Sequence, residues 1–216
     1  MMSKNQLLIL SHHILLIAGL FYYGVNIWVV IPIFFASMMW AKFVGSDIMH
    51  FYFAHRTYKD TIQSYFYTLL TLCTALGSPL SFSAAHRQHH EFTDTEKDTE
   101  KDPHSPAIIG WKRVYFLDWK RQQISPRLIR DFVKSDFQRW VHKYWIQLHL
   151  VIVTILAIID PRLVCLVISP FVVYTFHTAG LTNTLSHKHG EPRNATEIKF
   201  LTWWGWQHGD HHNHKT

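Results

Sequence analysis

"SYFYTLLTLCTALGSPLSFSA" (residues 64–84) is the stretch whose reading decides the architecture. It is apolar and long enough to cross a bilayer, whose roughly 30 Å core needs about 20 helical residues. If it crossed once, the histidines of "HFYFAHR" (50–56) and of "HRQHH" (86–90) would lie on opposite faces of the membrane. It also contains Gly77-Ser78-Pro79, which breaks a helix. The expectation is therefore a helix over about 64–84 that lies in the interface or dips part-way in, leaving both histidine groups on one side.

Working outward, four other segments read as spans, at about 7–23, 27–43, 143–159 and 163–181. The third, "WIQLHLVIVTILAII" (145–159), gains length from Val141 to Tyr144, and the fourth carries Pro170 as a kink point. No cleavage pattern follows the first, so it reads as a retained span rather than a signal peptide. The spans pair into two hairpins, turned by Tyr23-Gly24-Val25-Asn26 and by Asp160-Pro161-Arg162. In that topology Arg162 is the only one of the 21 Lys and Arg residues placed opposite the termini. Such a bias puts the middle section in the cytoplasm. The expected fold class is an all-α membrane protein. It has four transmembrane helices in two hairpins, a cytoplasmic histidine-rich helical cap and one interfacial helix, all in a single domain over 1–216.

The net charge of +6 with high aromatic content could suggest nucleic acid, but the positive residues are interleaved with long apolar runs, which fits a membrane surface better. Cys73 and Cys165 both sit in apolar segments and give neither a disulfide framework nor a C-x-x-C knuckle. Any metal site must then be built from histidine. The tandem "DTEKDTEK" (94–101) reads as a solvated loop, and 107–143 as cytoplasmic helices resting on headgroups.

The chain has 17 histidines, and their spacing is what singles out the chemistry. Each helical residue advances about 100°. His86, His89 and His90 therefore fall within about a third of one helix circumference, with His89 and His90 aimed in neighbouring directions, enough to serve two nearby ions. His208, His211 and His212 in "HGDHH" repeat the pattern. His50 and His55 are five apart, about 140° off one face, so an unwound helix end or two separate metals must reconcile them. Asn183 and His187 in "NTLSH" are four apart, on one face at the end of the last span. By contrast His142 and His149 read as packed or surface residues, and His12, His13 and His177 as polar sites inside spans rather than ligands. His189 and His214 read as surface neighbours of the motifs. Imidazole suits zinc, copper, iron and nickel. One four-coordinate zinc would use at most four ligands, whereas about nine here divide naturally between two ions.

These residues resemble the membrane fatty-acid desaturases of the acyl-CoA desaturase type, over nearly the whole chain from the second span onward. The resemblance rests on "HFYFAHR" (50–56), "HRQHHEFTDTEKDTEKDPHSP" (86–106), "NTLSHKHG" (183–190) and "HGDHH" (208–212). It implies an oxygen-dependent oxidoreductase with two iron ions held by His50, His55, His86, His89, His90, His187, His208, His211 and His212. Asn183 would complete one iron's surroundings through water. His104 in "DPHSP" matches a position that is not a ligand, and Arg56 and Arg87 would pair with acidic groups or an acyl headgroup. The implied reaction spends dioxygen and two external electrons to remove hydrogen from two adjacent methylenes of a saturated acyl chain. It leaves a cis double bond, with delta-9 as the candidate position. The implied partners are an acyl substrate on coenzyme A, a carrier protein or a glycerolipid, and a separate ferredoxin or cytochrome b5-type donor. Lys and Arg within 112–143 would meet that carrier or anionic headgroups. Before its last cluster the family usually has Gly-Glu-Gly-Trp-His, where this chain reads "WGWQH" with Gly205 and Gln207 at the differing places. The chain ends four residues after His212, where relatives continue into a tail. A di-iron membrane hydroxylase of lipids or carotenoids is the nearest alternative. A non-catalytic metal-binding membrane protein is the alternative of another class, and it predicts its histidines along a path inside the spans.

Overall fold

The computed structural model describes residues 4–74, 76–92 and 125–186, and among them every regular element is helical. Helix α1 (Lys4–Tyr22) ends in a turn where Gly24 takes φ 59°. Asn26 then accepts from Trp28 N at 3.0 Å and caps α2. This helix starts as Ile27–Trp40 and continues without a break as a π-type helix, Ala41–Ala54. Helix α3 (Ile62–Thr71) opens with a reciprocal cap between Thr61 and Ser64, and α4 (Pro79–Phe92) follows. A 3₁₀ turn (Pro126–Ile129) and the short α5 (Arg130–Val133) lead to α6 (Asp136–Ile159), capped by Ser135 and kinked at Tyr144. Asp160 accepts from Arg162 N and opens α7, which begins as Pro161–Leu163, widens into a π-type stretch (Val164–Ile168) just before Pro170, and runs on as Ser169–Ser186.

Three helical stretches are long and apolar enough to cross a membrane: Ile27–Ala54, Asp136–Ile159 and Pro161–Gly180. The segment expected as the first span is apolar over Gln6–Tyr22 but shorter. The second is longer than the expected 27–43, because Val44, Ile48, Met49 and Phe53 keep a helical rhythm beyond Phe43. Their side chains form one core cluster with Tyr58, Leu80 and Phe132. That extension carries His50 to the site on the same rod.

The stretch 64–84 divides where Gly77 takes φ 85°, with α3 ending at Thr71 and α4 beginning at Pro79. Ten residues of helix reach only about 15 Å, too short to cross. Helix α3 is also inside out. Ser64, Thr68 and Thr71 are fully buried, while Ile62, Phe66 and Leu69 are 88, 56 and 54% exposed. Thr68 and Thr71 donate back to the carbonyls of Ser64 and Thr68, and Thr68 Oγ1 also accepts from Gln138 Nε2 of α6 at 2.7 Å. Hydroxyls turned to neighbouring helices and apolar groups turned outward are the arrangement that suits lipid rather than water. Against α7, α1 approaches so closely that a Cβ at Gly19 would lie 2.5 Å from Cys165 Cβ. Trp40 stacks on Phe171 at 4.8 Å where α2 meets α7.

Candidate metal centre

His50 lies in the π-type end of α2 and His55 at its C-cap, and His86 and His90 stand one turn apart on α4. Their Nε2 atoms converge. His55 is 3.1 Å from His50 and 3.0 Å from His86, and His90 is 3.0 Å from His86. All four donor atoms lie within 4.8 Å of one another. The five-residue gap between His50 and His55 is closed by the π-type end of α2. His55 N donates to His50 O at 3.2 Å, and this i→i+5 bonding brings residue i+5 back nearly over residue i.

Burial pushes the imidazole of His55 down to about 4, helped by the positive charge of Arg87. It pushes His86 well below 6.5, reinforced by the surrounding histidines. These rings stay neutral at pH 7, the form that offers a lone pair to a cation.

Arg87, inside "HRQHH", is consumed by structure. Its Nε donates to Ala54 O at 2.8 Å, and its Nη2 to Phe53 O and Arg56 O at 3.2 and 2.7 Å, which caps the C-terminal end of α2. Its Nη1 donates to Leu128 O at 2.6 Å, and the two Nη atoms grip Asp131 at 2.8 and 3.0 Å. Asp131 also accepts from Tyr58 N at 2.6 Å. Burial works to raise the Asp131 carboxyl, but the Arg87 and Tyr58 hydrogen bonds win and hold it below the ordinary range. One guanidinium thus ties the end of α2, the start of α5 and α4 together around the imidazoles. Arg56 instead lies exposed, 5.9 Å over the Tyr52 ring. A cavity of about 570 Å³ opens beside the quartet, with His55, His86 and His90 on one wall and Arg56, Arg130 and Lys134 on another.

Asp131 escaped sequence reasoning because it belongs to no motif and lies 44 residues beyond its partner. His89 is buried on α4 but outside the quartet, its ring 6.1 and 6.0 Å from those of His86 and His90. Asn183 falls on the last turn of α7. His104, His187, His208, His211 and His212, with Gly205 and Gln207, lie outside the described residues, as do His189 and His214.

No family model matches this chain. Curated proteins do. The Hex-5-enoyl-[acyl-carrier protein] acetylenase of Moorena producens is 32% identical over 140 residues, 55% of this chain and 42% of that protein. The Icosanoyl-CoA 5-desaturase of Limnanthes douglasii is 26% identical over 71% of this chain and 45% of its own length. This chain resembles the fatty-acid desaturases. The Palmitoyl-monogalactosyldiacylglycerol delta-7 desaturase of Arabidopsis thaliana extends the match to 94% of the chain and 57% of its own, at 23% identity. The chain spans about half the length of the curated relatives it matches. Their printed names carry three different acyl carriers.

Proposed function

We propose that this protein is an oxygen-dependent acyl desaturase of the membrane, with its metal centre on the cytoplasmic side. The observation that carries the reading is the converging quartet of His50, His55, His86 and His90, two of them buried and two half-buried, in a chain similar to desaturases. Four imidazole nitrogens within 4.8 Å of one another would close on one cation with a small inward movement, the usual metal–imidazole distance being about 2.1 Å. His89, His187, His208, His211 and His212 complete the proposed ligand set for a second iron, with Asn183 contributing through water. Bound there, iron would supply the activation of dioxygen that removal of two hydrogens from adjacent methylenes requires.

The chain's own part is positional. Arg87 and Asp131 hold α2 and α4 at one separation, so the donors need little reorganisation on binding. Burial keeps protons off His55 and His86. The cavity beside them admits the substrate, and its basic wall suits an acyl carrier that bears negative charge. Electrons come from a separate ferredoxin or cytochrome b5-type donor, and a cis double bond, with delta-9 as the position to examine first, is the product.

Expression in a desaturase-deficient host, with fatty-acid profiling and metal analysis of the purified protein, tests the reading. New monounsaturated chains together with bound iron are the expected result. Hydroxylated products would move the assignment to a hydroxylase, and zinc alone with unchanged lipids would end the enzymatic reading.

A further inference from the structure

A second set of imidazoles lies inside the helix bundle, apart from the quartet. His12 of α1 and His149 of α6, both at most 2% exposed, meet Nε2 to Nε2 at 2.8 Å. His12 Nδ1 is 2.9 Å from Ser169 Oγ of α7, and His149 Nδ1 is 2.5 Å from the Leu72 carbonyl. A carbonyl only accepts, so His149 carries its proton on Nδ1 and presents a bare Nε2. His12 then donates through Nε2–H, and its Nδ1 accepts the Ser169 hydroxyl proton. The chain runs in one direction, from Ser169 through His12 and His149 to the Leu72 carbonyl, with every donor satisfied and no charge required. Two nitrogens are too few for a structural metal site, and the quartet is the sole set of three or more converging donors among the described residues.

The end of this chain is what matters. Leu72 is the C-cap of α3, and its carbonyl is one that the helix cannot satisfy itself. Seven residues before His149, on the same face of α6, His142 Nδ1 lies 2.8 Å from Ser78 Oγ, which caps the start of α4 by accepting from Ser81 N. Helix α6 therefore grips both ends of the link 72–78, which includes the turn at Gly77. That link launches the helix carrying His86 and His90.

We infer that His149 is a positioning residue for the metal centre. By anchoring the Leu72 carbonyl, it fixes where α4 starts, and hence where His86 and His90 meet His50 and His55. The inference rests on the reading of that quartet as a metal site. An asparagine amide nitrogen can stand in for the donating histidine Nδ1, and a glutamine amide oxygen for the accepting Nε2. His149→Asn keeps the bond to Leu72 and loses His12, whereas His149→Gln does the reverse and His149→Phe loses both.

The test titrates Co²⁺ into the metal-free full chain in detergent and reads the d–d absorption, with amide hydrogen exchange over 76–82 measured on the same metal-free samples. The expected result is wild-type affinity and spectrum for His149→Asn. His149→Gln and His149→Phe should bind about 10-fold more weakly or worse, with a shifted spectrum and faster exchange at the link. His142→Ala, at an exposed position that folding tolerates, should give the same direction more weakly. Equal losses in Asn and Gln variants, or wild-type behaviour in the Phe variant, overturn the inference. If the wild-type protein takes up no Co²⁺, the proposed function fails first, and the exchange data alone then decide whether His149 holds the link.

Discussion

Two histidine groups in this protein look alike by distance and differ in what they can do. In the quartet, three Nε2 separations are 3.0–3.1 Å, and in the bundle they are 2.8 Å for His12–His149 and 2.9 Å for His13–His177. The difference lies in number and in the far nitrogen. Four rings converge at the quartet, whereas the bundle rings meet in pairs and two of them donate Nδ1 protons to carbonyls, Leu72 for His149 and Ile9 for His13. A pair whose donors and acceptors match is complete as a hydrogen bond. Four imidazole nitrogens brought to one place match the number a four-coordinate cation takes, which a pair does not.

The comparison breaks most sharply at His86, whose ring packs against those of all three other members. His86→Ala should abolish desaturation and lower metal affinity at the quartet by at least about 100-fold, a direct ligand loss exceeding the 10–100-fold of supporting residues. Retained product in fatty-acid profiles of this variant would remove the quartet from the chemistry. Next comes the brace. Asp131→Asn leaves Arg87, 19% exposed at its side chain, without its charged partner. The expected cost is about 2 kcal/mol of stability, since a hydrogen bond to a charged group is worth roughly 1.5–3 kcal/mol. Iron content should fall with it, and Arg87→Lys should lose it too, because an ammonium cannot hold four carbonyls and a carboxylate together.

Acid distinguishes the groups without mutation. His55 has its folded value near 4, below the unfolded 6.5, so the unfolded chain binds protons first as pH falls. The stability tied to the neutral ring is complete above 6.5 and is lost progressively down to about 4. Metal-free protein should therefore melt lower at pH 5 than at pH 7, and bound metal should reduce that difference. A melting temperature independent of pH across this window would show that His55 is not held neutral by its surroundings.

Much of this was readable from spacing. "HRQHH" puts His86 and His90 one turn apart on a helix, Gly77-Ser78-Pro79 breaks the apolar stretch, and the two hairpin turns carry their own capping residues. The histidine pattern also pointed to the desaturases that the relatives represent. Hydrogen-bond register was not readable. An α-helix and a π-type helix have the same composition, so nothing in "HFYFAHR" announced that His55 folds back over His50. Long-range partners were equally hidden. Asp131 and the Leu72 carbonyl are ordinary residues until tertiary contact gives Arg87 and His149 something to hold. His149, read as a packing or surface histidine, and His12, read as a polar site inside a span, meet through their ring nitrogens.

The smallest expected effect sharpens the comparison from the other side. His13 and His177 join α1 to α7 far from any converging set, with His13 Nδ1 donating to Ile9 O at 2.8 Å and so leaving its Nε2 to accept from His177. Interhelical hydrogen bonds of this kind in lipid average about 0.6 kcal/mol and reach about 1.7 kcal/mol. The low value follows because helices in a bilayer can find other polar partners when unfolded. His177→Phe should therefore lower the unfolding free energy in mixed micelles by about 0.6 kcal/mol and leave metal content and product yield at wild-type levels. His13→Phe should match it, and the double variant should cost no more than either alone, since both remove one bond. Loss of metal in His177→Phe would mean that rotation of α7 is transmitted to Asn183, six residues on, and that the two histidine groups are one coupled device.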